Sequence, residues 1–249
     1  MASNFGSFCD DFYLDMCVNT QLELPEHRET ILTFFEQLRK RFPPLAGFSC
    51  RQGEYLLEEE RQGQRYRWVS LEKNRICAGV AAPEDMNEAY TLQNEVLELM
   101  PYMLGVSVLD IDSLDVTFTM DFDYQGNQDE IIAEAVMNGS SFGALFELSG
   151  AKTVSCAPSV VVALSEDCRT QARIAIESRT SVYDLRNEKF KPDEPISLYF
   201  TIRRYPAPEP KFDPVESFRQ QCQIAEQMMF DKIIPCFARP LLSAIAQRH

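Results

Sequence analysis

Two segments of the chain, about one hundred residues apart, alternate apolar and polar side chains in the same order. They are residues 14–24 and 114–124. Alternation with a period of two is typical of a half-buried β-strand. An amphipathic helix pattern follows each segment, over 26–42 and over 128–137, and the two patterns stay in phase when the sequence is shifted by one hundred residues. The periodicity therefore predicts an internal repeat.

The likeness continues beyond these helices. Each half has three short strand patterns separated by turns, then a long helix pattern with a late proline, Pro101 or Pro235, which predicts a kink. The strand patterns cover 54–61, 65–72 and 75–82 in the first half and 159–166, 171–178 and 196–204 in the second, and the helix patterns cover 84–104 and 213–246.

These patterns together predict an α+β fold of two similar halves that arose by internal duplication. Each half is expected to be an antiparallel sheet with one short and one long helix packed on one face. The predicted boundaries are an N-terminal tail over 1–11, a first half over 12–105, and a second half over 106–249 that ends in a long kinked helix. Asp213, just before Pro214, is the expected cap of that last helix.

Charge narrows the set of partners. The 249 residues include 38 Asp and Glu against 24 Lys and Arg, for a net charge of −14. A phosphate backbone or an anionic membrane surface repels such a protein, so neither nucleic acid nor membrane is an expected partner. The first residues lack the pattern of a signal peptide, and no apolar run is long enough to span a bilayer.

Eight cysteines are present, and no pair has the CxxC spacing of a zinc knuckle or a thioredoxin-type motif. An even number permits four disulfides, but a chain of this length can form a core without covalent cross-links. Several cysteines also lie in apolar strand or helix patterns, where Cys acts as a small hydrophobic residue. The interpretation we favour is eight reduced thiols in a cytoplasmic protein.

Motifs for catalysis or cofactor binding are absent from the sequence. It contains two histidines, no GxSxG or HExxH motif and no phosphate-binding loop. No catalytic residue, metal ligand or cofactor is therefore assigned. A pair of carboxylates acting as acid and base needs no histidine, and with 38 acidic residues that alternative stays open.

Asp121 and Asp123 raise the question of a metal site, because they precede a turn at Gly126. A calcium loop that began at Asp121 would need Asp or Asn at its fifth position and Glu at its twelfth. Those positions hold Gln125 and Ile132. The two carboxylates are therefore predicted to lie on the solvated face of a strand.

Arginines on the predicted strands are the candidate binding residues. The set of candidates consists of four arginines and one tyrosine: Arg65, Arg67, Arg173, Arg203 and Tyr199. Two interpretations are open: the arginines form cross-strand ion pairs, or they line a polar groove that binds an anionic group or an acidic peptide.

The C-terminal helix pattern suggests association. Residues 215–246 would span roughly 48 Å as a helix, which is longer than a strand of five to eight residues. Part of the helix would therefore extend beyond the sheet of its own half. That part carries Ile233, Ile234, Phe237, Leu241, Leu242 and Ile245. A second copy could cover these side chains, which predicts a homodimer, or another part of the same chain could cover them.

The resulting functional prediction is a non-catalytic intracellular binding or assembly protein that acts through a sheet face and long apolar helices. Its expected partners are a second copy and an unidentified protein. The alternative is an enzyme or small-ligand-binding protein that uses a groove between the two halves. A polar pocket with a buried acid would favour the alternative, and a flat surface with a large apolar patch would favour the first prediction.

Overall fold

The computed structural model describes residues 5–61, 63–146, 148–207 and 211–248. Over these residues the protein is an α+β fold with a single large antiparallel sheet and several helices. The strands are β1 (Asp11–Thr20), β2 (Leu45–Arg51), β3 (Glu54–Glu59), β4 (Tyr66–Glu72), β5 (Arg75–Ala81), β6 (Ile111–Phe122), β7 (Ser159–Ala163), β8 (Thr170–Glu177) and β9 (Ile196–Arg204).

The strands follow one another across the sheet in the order β2-β3-β4-β5-β1-β6-β9-β8-β7. The prediction of a separate sheet in each half is wrong, because β1 and β6 pair with each other at the centre. Met16 lies opposite Val116 in this antiparallel pair, and the pairing covers the whole of β1. The first half therefore continues into the second without a sheet edge between them.

Strand β2 is an element that the sequence patterns missed. It pairs with β3 through a tight turn at Gln52 and Gly53, whose φ angles are 52° and 85°. Two successive residues with positive φ are typical of the hairpin turn that matches the twist of the adjoining strands. The Gln-Gly pair ahead of an alternating segment was the available signal for this hairpin.

Seven α-helices are described, and two of them continue as π-helices. The α-helices are α1 (Arg28–Arg41), α2 (Met86–Met103), α3 (Gln128–Ile132), α4 (Gly143–Phe146), α5 (Val182–Asn187), α6 (Pro214–Met228) and α7 (Arg239–Ala246). The π-helical segments are Ala133–Met137, after α3, and Met229–Ala238, between α6 and α7. Among the described residues, no helix has both the length and the apolar character needed to cross a membrane.

The start of the C-terminal helical region agrees with its sequence signal, and Pro235 lies in the middle of the region. Asp213 caps α6 as predicted, since its Oδ1 accepts hydrogen bonds from the backbone N–H groups of Val215 and Glu216. Pro235, which has no backbone N–H to donate, lies within the π-helical segment. The helix widens around the proline instead of ending there.

The core lies against one face of the sheet. Alternate side chains of the central strands, such as Leu14, Val116 and Phe118, are fully buried and belong to one apolar cluster. The same cluster contains helix residues, among them Phe34 of α1 and Phe218 of α6. Burial of this apolar area is the main stabilising contribution to the fold.

The N-terminal segment also reaches the core. Residues 1–4 lie outside the described part of the predicted tail, but Phe5–Phe8 form a 3₁₀ turn. Phe5 is buried, with its ring centroid 5.3 Å from that of Phe12 and 4.9 Å from that of Phe230. This part of the tail therefore packs against both β1 and the C-terminal helical region.

The apolar end of the C-terminal helical region is covered by the same chain, which is one of the two covers that the sequence left open. Four of the six candidate association residues are buried, and the other two are half-buried against the core. The buried ones are Ile233, Ile234, Leu241 and Ile245, and the half-buried ones are Phe237 and Leu242. Helix α7 contacts α3 and its π-helical continuation, which supply part of this cover.

Candidate functional site: a polar groove on the open sheet face

The face of the sheet opposite the core carries a polar groove with a volume of about 460 Å³. Its lining side chains come from neighbouring strands, from β4 in the first half to β7 in the second. Because side chains alternate between the two faces of a strand, the residues between the core positions of β1, β6 and β9 point into this groove. The groove therefore crosses the junction of the two halves.

One row of directly opposed residues runs along the groove. In sheet order it consists of Trp68, Gly79, Asp15, Thr117, Thr201 and Arg173. At about 4.8 Å between neighbouring strands, the row measures about 24 Å from β4 to β8. Its two ends have different chemistry, one aromatic and one cationic.

Gly79 allows the aromatic end to form. A Cβ atom at this position would lie 2.1 Å from Cζ2 of Trp68 and 2.6 Å from Oδ1 of Asp15. The indole ring therefore lies on the backbone of β5 and approaches the carboxylate on β1. No other residue type leaves room for both side chains at this position.

Trp68 lies near two further aromatic rings from the same sheet face. Its ring centroid lies 5.2 Å from that of Tyr66 and 6.4 Å from that of Tyr13. The guanidinium carbon of Arg61 lies 4.6 Å from the centroid of the Tyr66 ring, which is within the range of a cation–π interaction.

Asp15 is the most perturbed carboxyl group in the groove. Burial raises its pKa to about 7, while the guanidinium of Arg75 acts in the opposite direction. Among the described residues, none donates a hydrogen bond to this carboxylate. Arg75 donates instead to Sγ of Cys17, at 3.2 Å, and its Nε is buried without a partner among the described residues.

Cys17 and Cys77 form a disulfide in the floor of the groove, so the prediction of eight free thiols is wrong for this pair. The two residues lie directly opposite each other on β1 and β5, with their Cα atoms 4.2 Å apart. Sixty residues separate them along the chain, so no local spacing in the sequence indicated the bond. The other six cysteines are free, namely Cys9, Cys50, Cys156, Cys168, Cys222 and Cys236.

Arg203 is neutralised by a partner on the neighbouring strand. Its Nε and Nη2 donate to the two carboxylate oxygens of Asp115 at 2.7 and 2.6 Å. This hydrogen bonding raises the pKa of the Arg203 guanidinium. Asn19 also donates to Asp115, at 3.3 Å. The arrangement is a cross-strand ion pair, one of the two interpretations open for this arginine.

Hydroxyl groups occupy the middle of the groove. The Oγ1 atoms of Thr117 and Thr201 lie 2.9 Å apart on opposed positions of β6 and β9. Beside them, Tyr199 accepts a hydrogen bond from Nη2 of Arg179 at 2.9 Å. These groups can donate to or accept from a polar ligand without a change in charge.

Arg173 provides the cationic end of the groove. It lies opposite Thr201 of β9 and Val161 of β7, and its side chain is exposed. No described acidic residue forms an ion pair with it, in contrast to Arg203. Its charge is therefore free to meet a ligand.

The structure does not bring Arg65 and Arg67 to the groove. Arg65 precedes β4 and forms an ion pair with Glu88 at 2.9 Å. Arg67 lies within β4, but its side chain points to the face opposite Trp68, where it pairs with Glu59 at 2.6 Å. Of the five predicted binding residues, only Arg173, Tyr199 and Arg203 line the groove.

Asp121 and Asp123, which were considered as metal ligands, lie at one end of β6. Asp121 is opposite Asp11 of β1, and the backbone N–H of Asp123 donates to Oδ2 of Asp10 at 2.8 Å. Within the described ranges, no group of three or more His, Cys, Asp or Glu side chains is placed to hold a metal ion.

Sequence reasoning missed the aromatic end of the groove and Asp15. Alternation alone places Tyr66 and Trp68 on one face of β4, and Tyr13 and Asp15 on one face of β1. That these two faces are the same face of one sheet depends on the pairing of both strands with β5, which the sequence pattern did not specify.

Comparison of the sequence with models of known protein families and with curated proteins found no match.

Proposed function

We propose that this chain is a non-catalytic binding protein that holds an elongated polar ligand in the groove, with an anionic group of the ligand at Arg173. The observation that carries the proposal is the different state of two arginines on the same face. Asp115 already compensates the charge of Arg203, whereas Arg173 is exposed without an ion pair in the described residues.

Nearby groups support an anionic ligand at this end. The hydroxyls of Thr201 and Tyr199 lie on the neighbouring strand and line the same groove as Arg173. A guanidinium with adjacent hydroxyl donors is suited to a carboxylate, because it can form charge-assisted hydrogen bonds in a fixed geometry. An acidic peptide is the ligand that we favour.

The two halves, 12–105 and 106–249, are on this proposal duplicated units that each provide one end of the groove. The strand order supports a duplication, since β5 and β9 flank the central pair β1 and β6 and are in turn flanked by β4 and β8. The candidate association residues of the C-terminal helical region are buried in the core of the chain or half-buried against it. The proposal therefore rests on the sheet face and not on the C-terminal helix.

The test is calorimetric titration with a short glutamate-containing peptide at about 0.15 M salt. We expect Arg173→Gln to weaken binding at least about tenfold, or about 1.4 kcal/mol, which is near the lower limit for a hydrogen bond to a charged group. Arg186→Gln, on the exposed surface of α5, removes the same charge outside the groove and is the matched control. Equal binding by the two variants would refute the proposal.

An acid–base enzyme is the second candidate. The observation that favours it is the carboxyl group of Asp15, whose pKa is raised to about 7 beside the groove. A group with such a pKa can both donate and accept a proton near neutral pH. Loss of turnover of a groove ligand in Asp15→Asn, with binding retained, would support this candidate over the first.

A further inference from the structure

We propose that the aromatic end of the groove, where Tyr13 and Tyr66 lie beside the lining residues Trp68 and Asp15, binds a basic side chain of the ligand, a lysine or an arginine. The inference deepens the proposed function and rests on it, since it assigns the opposite end of the same groove. The ligand that fits both ends is a peptide with a basic residue at one end and an acidic residue at the other.

The ring arrangement suits a cation. Tyr66 and Tyr13 lie on either side of Ala81 in one row of the sheet, and Trp68 lies across Gly79 in the next row. The faces of aromatic rings carry negative electrostatic potential and attract ammonium and guanidinium groups. Arg61 already places its guanidinium over Tyr66, so this ring meets a cation within the chain itself.

Acidic side chains lie beside these aromatic rings, together with the guanidinium groups of Arg61 and Arg75. The carboxylate of Asp15 is half-buried beside Trp68 and accepts no hydrogen bond from any described residue. Burial and then the carboxylates of Asp11 and Asp121 raise the pKa of Tyr13, while the guanidinium of Arg61 lowers it. A basic side chain would give Asp15 the hydrogen-bond donor that it lacks among the described residues, in addition to the nearby charge of Arg75.

The length of the groove points to a peptide and not to a small amine. Trp68 and Arg173 are about 24 Å apart across the sheet, and an extended chain advances about 3.3 Å per residue. About seven residues would connect a basic side chain at the aromatic end with an acidic one at Arg173. A small amine could occupy only one of the two ends.

The test uses Trp68, the single tryptophan of the sequence, as an intrinsic fluorescent reporter. The probe is an acetylated and amidated peptide of about seven residues, with lysine at one end, glutamate at the other and serines between. A matched peptide carries norleucine in place of lysine. We expect the lysine peptide to bind the unmodified protein at least about tenfold more tightly and to change the emission of Trp68.

Variants test whether the preference for lysine depends on the aromatic end of the groove. Asp15→Asn and Tyr66→Leu should each reduce the preference for lysine to about threefold or less, whereas Tyr66→Phe, which keeps the ring, should retain it. Glu36→Gln, which removes an exposed acid from α1, should also retain it. Thermal melting of each variant checks that it is folded. The comparison of the two peptides uses the unmodified protein and therefore does not depend on the folding of any variant.

The outcomes separate this inference from the proposed function. Equal affinity for the lysine and norleucine peptides, with loss of binding in Arg173→Gln, overturns the cation site and leaves the anion site in place. A lysine preference that persists in Arg173→Gln supports the cation site on its own. Binding of neither peptide overturns both.

Discussion

Strand β6 shows the contrast between the two faces of the sheet within a few residues. Phe118 points into the core, fully buried among apolar side chains such as Phe5 and Phe12. Its neighbour Thr117 points into the groove, where the hydroxyl of Thr201 is its partner. The core face is held by many contacts that a single substitution disrupts together, whereas the groove face is held by separate pairs. Side chains of the groove can therefore change with less effect on folding.

The largest effect on the free energy of unfolding is expected from a substitution on the core face of the sheet. Phe118→Ala should lower the free energy of unfolding by about 3–5 kcal/mol, because a large buried ring leaves a cavity. Thr117→Val removes one hydrogen bond on the other face and should cost about 1 kcal/mol. Urea denaturation of both variants measures the difference. Similar costs would show that the two faces contribute equally.

The disulfide is the feature of the groove face that should contribute most to stability. Replacing Cys17 and Cys77 together by serine should lower the free energy of unfolding by about 2–4 kcal/mol, because the bond closes a long loop in the unfolded chain. The bond itself is checked by thiol counting in denaturant. Six thiols are expected before reduction and eight after it, and eight before reduction would contradict the bond.

Gly79→Ala tests how tightly the aromatic end is packed. The added methyl group would lie 2.1 Å from Trp68, so the indole must move, and we expect a cost of about 1–3 kcal/mol with a shift in tryptophan emission. Gly47→Ala in β2 is the control, because its nearest neighbour, the backbone oxygen of Glu58, would lie 3.2 Å away. It should cost less and leave the emission unchanged. An unchanged spectrum for Gly79→Ala would contradict the close approach.

The smallest effect concerns pH. Asp15 has its pKa raised from 3.8 to about 7, so the folded protein holds a proton that the unfolded chain releases. Its contribution to stability is complete below about pH 4 and is lost as the pH rises through 7. Asp15→Asn should therefore gain about a few degrees in melting temperature relative to the unmodified protein between pH 5 and pH 8. Glu36→Gln should show no such trend, and a constant difference for both would contradict the raised pKa.

The sequence predicted the features that depend on side chains close together along the chain, namely strands, helices and a helix cap. Alternation identified β1 and β6, apolar periodicity identified α1 and the long C-terminal helical region, and Asp213 was expected as a cap. These features depend on side chains a few positions apart, which local spacing describes. The pairing of strands was not accessible in this way, and the groove depends on that pairing.

Two predictions show why local spacing could not give the pairing of strands. Arg67 was grouped with Arg203, but relating the faces of β4 and β9 requires the register of the strands between them. The C-terminal helical region was compared with the length of one strand, whereas the single sheet of nine strands is about 38 Å wide. Ile233 and Leu241 could therefore be buried within the chain.

The pairing of β1 with β6 has a consequence for the order of folding. Met16 and Val116 are one hundred residues apart along the chain, whereas β2, β3, β4 and β5 form successive hairpins with short turns. Contacts between distant residues cost more chain entropy and form more slowly than local ones. We expect the hairpins to form first and the central pair to join them late. Since Asp15 and Thr117 meet only across that pair, and Thr201 of β9 lies between Thr117 and Arg173, a chain emerging from the ribosome gains a continuous groove only after β9 has been synthesised.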